Sequence, residues 1–274
     1  MTNLIAIAAL APALVADPVR HSVTFTAVST DCGTATPLEF LFVGPGSDHD
    51  YESLFVTDAT VREIADAFDR AGIPRGRPYD LASARLWPVG VPLAFDPPVE
   101  SLVVESADAP LPAPVYTGGS RNALGAPEAD TNMPSAVFAF YNLGQALIQF
   151  DDSLDQSPAY GRFKPRVSPP KGERRSFTVT WDGSPAPERT TLRLAHGGVA
   201  DALASLRGKA AGGAALDVLC DFADDLTLRE AAEAAAALAV IDSPRVKVNG
   251  TAPGQFFYRA FVPLEAWQIG RAHV

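Results

Sequence analysis

Apolar and polar positions along the chain follow two periods. Ser22-Val23-Thr24-Phe25-Thr26-Ala27-Val28 alternates with a period near two and is rich in β-formers, which predicts a strand. Leu38–Val43 is a short apolar run, the mark of a buried strand. A Gly/Pro/Asp turn, Gly44–Asp50, follows it, and Tyr51–Val56 reads as a further strand. The period then changes. Val61, Ile64, Ala65, Phe68 and Ala71 recur at helical spacing, so one face of a helix is apolar. Thr60 followed by Glu63 forms a capping box at its start, and Gly72 and Pro74 stop it.

Residues 73–135 are rich in Pro, Gly and small side chains. Two short β-like runs interrupt them, Val89–Phe95 and Val99–Glu105, and Asp108–Pro134 reads as a long loop with little packing content. Ala136–Tyr141 and Ala146–Phe150 are apolar and aromatic, joined by Asn142-Leu143-Gly144-Gln145, and predict a hairpin. Residues 156–173 hold several prolines and glycines and most of a local basic cluster: Arg162, Lys164, Arg166, Lys171, Arg174 and Arg175. They read as a linker. Beyond it, Phe177–Trp181, Thr191–Ala195, Leu216–Phe222, Arg245–Val248 and Phe256–Val262 predict strands. Val199–Leu206 predicts a short helix ended by Gly208, and Thr227–Glu230 opens an alanine-rich helix stopped by Pro244. Strands alternating with helices imply a small α/β unit.

Composition narrows the function classes. The 274 residues carry 22 basic and 32 acidic side chains, a formal charge of −10. A nucleic-acid surface usually shows a clustered basic stripe, so this balance argues against one. With 47% hydrophobic residues the chain is too apolar to be disordered. Two cysteines exclude a disulfide-dense scaffold and a four-cysteine metal site. Leu4–Ala16 is apolar, about as long as the core of an export signal and too short for a membrane span, and Ala11 and Ala13 supply an A-x-A cleavage pattern. A buried N-terminal strand is the competing reading. No later apolar run reaches the roughly 18 residues of a membrane helix. Ile269–Val274 reads as the translation of a common sequencing-adaptor string, so residues 269–274 are set aside as artefact and the natural chain is expected to continue past Gln268.

The segment LEFLFVGPGSDHDYESLFVTDATVREIADAFDRAGIPRGRP, Leu38–Pro78, carries a strand with Glu52-Ser53-Leu54 after an acidic turn and a helix with an A-G-x-P-x-G-x-P tail. It resembles the YdjY-like family of exported bacterial proteins over roughly residues 21–105. That resemblance implies a β-rich exported domain and carries no catalytic motif. Residues 190–248 are more weakly similar to the periplasmic part of ExbD-type biopolymer-transport proteins. That family acts through an aspartate in a transmembrane helix, and no such helix precedes this segment, so no proton-driven role is implied.

The densest polar cluster is Gly44–Glu52. As a strand, it would place Asp48, Asp50 and Glu52 on one face, offering oxygen ligands to a hard cation such as Ca²⁺, with His49 pointing the other way. The competing reading is a solvated turn. It is not a phosphate loop, because the G-K-[ST] ending is missing. His196-Gly197-Gly198 before a helix offers either an anion site or a simple glycine turn. Cys32 and Cys220 either pair in an oxidising compartment or, given the apolar face holding Cys220, stay as buried thiols. Phe138, Phe140, Tyr141 and Phe150 suit a sugar platform or a packed core. The basic run suits an acidic partner, a lipid headgroup or a solvated connector.

The expectation is an α+β protein of two modules. Residues 1–16 form a signal peptide, 17–155 a β-rich YdjY-like domain with one amphipathic helix, 156–173 a linker and 174–268 a small α/β domain. Export points to the periplasm or cell envelope. The leading function is non-enzymatic: a binding or scaffolding module for a protein or small-molecule partner at the envelope, with no cofactor, no nucleic acid and no integral membrane segment. One alternative is a metal-assisted enzyme centred on Asp48, His49, Asp50 and Glu52, using a divalent cation. The other is an accessory subunit of an envelope transport system.

Overall fold

A computed structural model of the chain describes residues 14–79, 88–105, 110–154, 160–186, 188–194, 196–210, 216–222, 230, 245–250 and 258–261. The fold is mixed and rich in sheet, with few helices. The chain divides into two compact units, Met1–Ala186 and Pro187–Val274.

In the first unit the strands are β1 (Leu14–Asp17), β2 (Ser22–Ser29), β3 (Phe40–Val43), β4 (Ser53–Thr57), β5 (Val91–Pro92), β6 (Ala94–Asp96), β7 (Val103–Glu105), β8 (Pro114–Tyr116), β9 (Ala136–Tyr141), β10 (Ile148–Leu154), β11 (Phe163–Pro165) and β12 (Arg174–Thr180). Ten of them form one sheet in the order β5-β8-β10-β9-β3-β4-β2-β12-β6, with β1 also paired to β2. β7 and β11 form a separate antiparallel pair. Helix α1, Val61–Arg70, begins at the expected cap: the Glu63 N–H donates to Thr60 Oγ1 at 3.2 Å, and the Thr60 N–H donates to Glu63 Oε2 at 2.8 Å. Val61, Ile64, Ala65, Ala67 and Phe68 are buried. That apolar stripe lies in the same core as Val23 and Phe25 of β2, so α1 covers one face of the sheet.

The core beneath α1 is aromatic. Phe177 meets Phe42 edge-on at 4.8 Å and Phe55 at 4.9 Å, and Phe68 stacks on Tyr116 at 4.2 Å. Each such ring fully removed from water contributes on the order of 1.5–3 kcal/mol. On the opposite face, a smaller cluster of Phe40, Val43, Ala136, Ala139, Tyr141 and Ala146 covers the β3–β9 end. The register between β3 and β9 shifts between Phe40 and Phe42. Such a bulge lets residues two apart face opposite sides, so Phe40 joins the small cluster while Phe42 joins the main core.

Five expectations need correction. Residues 156–173 are not a linker where they are described. β11 pairs with β7, and the stretch after it closes against β2: the Gly172 N–H donates to Ser29 O at 3.0 Å and the Ser29 N–H to Glu173 O at 2.9 Å. The unit boundary lies instead between Ala186 and Pro187. β12, assigned to the second module, is paired with β2 along its whole length. Ala136–Tyr141 and Ala146–Phe150 do not form a hairpin. β9 and β10 run parallel, with Ile148 opposite Phe138 and Gln149 opposite Ala139. Val99–Leu102 is a helical turn, α2, rather than the start of a strand. The long loop is not empty: it contributes β8, whose Tyr116 is fully buried.

In the second unit, β13 (Glu188–Leu194), β14 (Leu216–Phe222) and β15 (Arg245–Gly250) pair in parallel, and β16 (Tyr258–Phe261) closes antiparallel on β15. Helix α3, Val199–Ala210, lies between β13 and β14 in sequence and runs past Gly208. This is the alternation of strand and helix read in the sequence. The alanine-rich helix lies outside the described residues, of which Glu230 is the single representative there.

Candidate functional site

Two surfaces of the first unit compete for a role, and the first is the polar turn. Residues Asp50–Glu52 form a short 3-10 turn rather than a strand. The predicted alternation therefore fails. Asp48, Asp50 and Glu52 do not line one face, and His49 does not point away from them. A 3-10 turn brings residues three apart together. His49 Nδ1 donates to Glu52 Oε1, since an ionised carboxylate only accepts. On its other side, His49 Nε2 lies 3.5 Å from Asp48 Oδ1. Phe40 sits edge-on to the imidazole at 5.9 Å and Tyr51 stacks on it at 5.8 Å. The Ser47 hydroxyl donates to Pro134 O and accepts the His49 N–H at 3.2 Å, which fixes the turn. Asp50 is exposed.

The sequence reading missed Glu39 here and placed Tyr141 only in the aromatic set. Glu39 is buried, and its N–H donates to Glu52 O at 3.0 Å. Tyr141 lies on the same side. Burial, then the charges of Glu39 and Glu52, push its phenol far above the ordinary tyrosine range. The available signal was a glutamate at the head of the apolar run Leu38–Val43. Cys32 sits behind the turn as a free, buried thiol, donating to Tyr51 O at 3.4 Å and Ser53 O at 3.3 Å. Burial pushes its thiol up, which makes it a poor nucleophile. Among the described residues, no group of three or more His, Cys, Asp or Glu is placed to hold a metal ion. The turn is a self-satisfied polar hub. Ser47, His49 and Glu52 spend their hydrogen bonds on one another and on the backbone, while Asp48 and Asp50 are exposed.

The second surface carries no signature in the sequence. On the face away from α1, β1, β2 and β12 frame an open groove of about 620 Å³, lined by Val15, Asp17, Arg20, Ser22, Thr24, Thr178 and Thr180. Strand pairing sets its floor: Ser22 opposite Thr180 and Thr24 opposite Thr178. The Thr24 and Thr178 hydroxyls are 2.9 Å apart. Val23, Phe25, Phe177 and Val179 alternate with them into the core, so the hydroxyls stand on a packed base. At one end, Asp17 accepts the N–H groups of Arg20 and Val19, and these hold its carboxyl below the usual range. Arg20 lies 4.0 Å away and is largely exposed. The charges at that end sum to zero, and the rest of the lining is neutral.

Other candidates are absorbed by structure. Phe138, Phe140 and Phe150 are buried against Phe163 and one another, so they offer no platform. The basic run is dispersed into pairs: Arg162 with Glu105, Lys171 with Asp31, Arg174 with Asp58 and Arg175 with Glu173. The turn before α3 already faces a carboxylate, because His196 Nδ1 lies 2.8 Å from Glu230 Oε1, which also accepts the Gly197 N–H at 3.4 Å. Among the described residues no helix is long and apolar enough to cross a membrane. No protein family, curated protein or solved structure matches the chain.

Proposed function

We propose that the first unit is a non-enzymatic binding module, exported to the cell envelope, that holds an uncharged polyhydroxylated ligand such as an oligosaccharide in the β1–β2–β12 groove. The observation that carries this reading is the hydroxyl floor. A hydroxyl both donates and accepts, so four of them on a rigid sheet can match a ligand whose polar groups are also hydroxyls. Neutral lining and a balanced charge pair at one end favour a ligand without net charge. Binding needs no nucleophile or acid–base pair. Export is supported by the apolar run ahead of β1. The strand begins at Leu14, directly after Ala11-Pro12-Ala13, so cleavage after Ala13 leaves the groove wall intact. Cleavage after Ala16 would remove most of β1 and, with it, Val15.

The test is a titration of isotope-labelled protein with a panel of neutral oligosaccharides, followed by NMR. Amide shifts should cluster at Ser22, Thr24, Thr178 and Thr180, and vanish in a Thr24→Val/Thr178→Val variant. Shifts confined to residues 44–52, or none for any member of the panel, would reject the reading. Mass analysis of the exported protein should find Leu14 as its first residue.

A further inference from the structure

Strand register arranges the groove residues in two rows that cross the strands. Val15 of β1 lies opposite Thr24 of β2, and Thr24 lies opposite Thr178 of β12. Asp17 lies opposite Ser22, and Ser22 opposite Thr180. The other edge of β12 is paired with β6, which puts Asp96 opposite Thr178 and Ala94 opposite Thr180. Residues directly opposite in an antiparallel pair share a face. Phe95 lies opposite Val179, and both are buried in the core. Ala94 and Asp96 therefore stand on the hydroxyl face, and both are exposed. The rows become Val15–Thr24–Thr178–Asp96 and Asp17–Ser22–Thr180–Ala94, one strand longer than the groove lining.

This face has a direction. The two rows lie about 7 Å apart along the strands, whereas each row extends over about 14 Å across four strands. On β2 the next hydroxyl, that of Thr26, is already spent on the Asp58 carboxylate. At the β1 end the Asp17 carboxylate is taken by the Val19 and Arg20 N–H groups. The β6 end differs. Ala94 raises only a methyl group in the path of the second row. The Asp96 carboxylate has no hydrogen-bond or ion-pair partner among the described residues. An ionised carboxylate only accepts, and its two oxygens suit two neighbouring donors. Adjacent hydroxyls on one sugar ring are such a pair, and hydrogen bonds to a charged acceptor are stronger than those between neutral groups.

We propose that Asp96 is a specificity-determining residue of the groove: the oligosaccharide lies across the strands, and the sugar unit that passes beyond Thr178 donates two adjacent hydroxyls to the Asp96 carboxylate. This rests on the groove as the binding site. It adds the ligand's direction, a dependence on ligand length and a requirement for adjacent free hydroxyls at the β6 end.

The experiment titrates linear neutral oligosaccharides of increasing length, from disaccharide to hexasaccharide, into the native protein and Asp96→Asn. Calorimetry reads Kd, and NMR reads which amides move. Amides of Ala94, Phe95 and Asp96 should shift with the longer members and stay in place with the disaccharide. Asp96→Asn keeps the side chain's size but replaces one acceptor oxygen with a donor and removes the charge. It should weaken the longer members about tenfold or more and leave the disaccharide unchanged. Unchanged Kd at every length in Asp96→Asn would overturn the proposal while leaving the groove intact. So would shifts at Ser22, Thr24, Thr178 and Thr180 with none at residues 94–96. A cationic amino-sugar oligosaccharide preferred over its neutral counterpart by the native protein, with the preference lost in Asp96→Asn, would also overturn it, because Asp96 would then read charge rather than hydroxyls. Native protein that binds no member of the series removes the groove reading and this extension together.

Discussion

The turn at residues 44–52 and the groove on β2 and β12 sit on one sheet and differ in how their polar groups are spent. In the turn, His49 is flanked by Asp48 and Glu52, Ser47 binds the backbone, and Tyr51 and Phe40 close over the imidazole. In the groove, Ser22, Thr24, Thr178 and Thr180 line open space above a packed floor. The turn is dense in chemistry-bearing residue types, yet it is a structural hub. The groove is lined mainly by hydroxyls, with Asp17 and Arg20 at one end, and it is open to solvent. Density of reactive residues along the chain measures local polarity. Availability depends on whether folding has already supplied each group with a partner.

The largest expected effect tests the base on which the groove stands. Phe177→Ala removes a ring that touches Phe25, Phe42 and Phe55, so it should cost about 3–5 kcal/mol in chemical denaturation of the whole chain. A cost under about 1 kcal/mol would mean that β12 is not built into this sheet, and the groove would then have no floor.

Why the two surfaces were unequally legible follows from sequence separation. Helix α1 is readable from its start to within a residue of its end because its cap, stripe and stop all lie within residues 60–74. The strand character of β2 and β12 was readable from alternation. Their pairing was not, since Thr24 and Thr178 are 154 positions apart and nothing local specifies a partner. The Pro and Gly content of residues 156–173 then suggested a linker. Where described, that stretch serves an ordered corner: the Ser29 hydroxyl donates to Pro170 O, and Gly172 turns with φ of 81° before its N–H meets Ser29 O. Turn chemistry signals a change of direction, and such a change occurs in packed corners as well as in connectors. The polar turn misled by period. Alternation was assumed where a 3-10 turn operates, so the pairing of His49 with Glu52 was lost.

A smaller effect separates hub from site. His49→Ala leaves the Glu52 carboxylate, only 12% exposed, without its imidazole partner. The expected cost is about 1–3 kcal/mol, more than a surface substitution gives. Oligosaccharide binding at the groove should be unchanged. Loss of binding with full stability would reverse the assignment of the two surfaces and return the turn to the role of a site. Purified protein should also carry no stoichiometric divalent metal in elemental analysis. A metal bound through Asp48, His49 and Glu52 would be released by His49→Ala and would revive the metal-assisted alternative.

Cys32 offers a probe of how closed the hub is. Its raised pKa comes mainly from burial, so the folded state holds the thiol proton more tightly than the unfolded chain does. Stability should therefore be intact below the ordinary thiol range and decline modestly as pH rises through it. Alkylation at pH 8 should be much slower in the native protein than after denaturation. Rapid native labelling would show that the turn opens on the timescale of the reagent, and a hub that opens is no longer distinct from the groove.

The smallest effect on stability should accompany the largest effect on binding. Thr178→Val keeps the β-branched shape and removes one hydroxyl from a partly exposed position, so folding should change by no more than about 0.5 kcal/mol. The Thr24 hydroxyl, 2.9 Å away, loses its cross-strand partner but retains access to water in the open groove, so no buried polar group is orphaned. A bound ligand removes that water. Thr24 and the ligand hydroxyl facing residue 178 would then both lack a partner, which costs about 1–3 kcal/mol, or five- to more than a hundredfold in Kd. An isothermal titration with the best oligosaccharide, set beside a denaturation curve of the same variant, reads both quantities. Thr178→Val that bound normally would leave the hydroxyl pair as mere strand filling. Thr178→Val that lost stability in step with binding would place the effect in the sheet rather than in the groove.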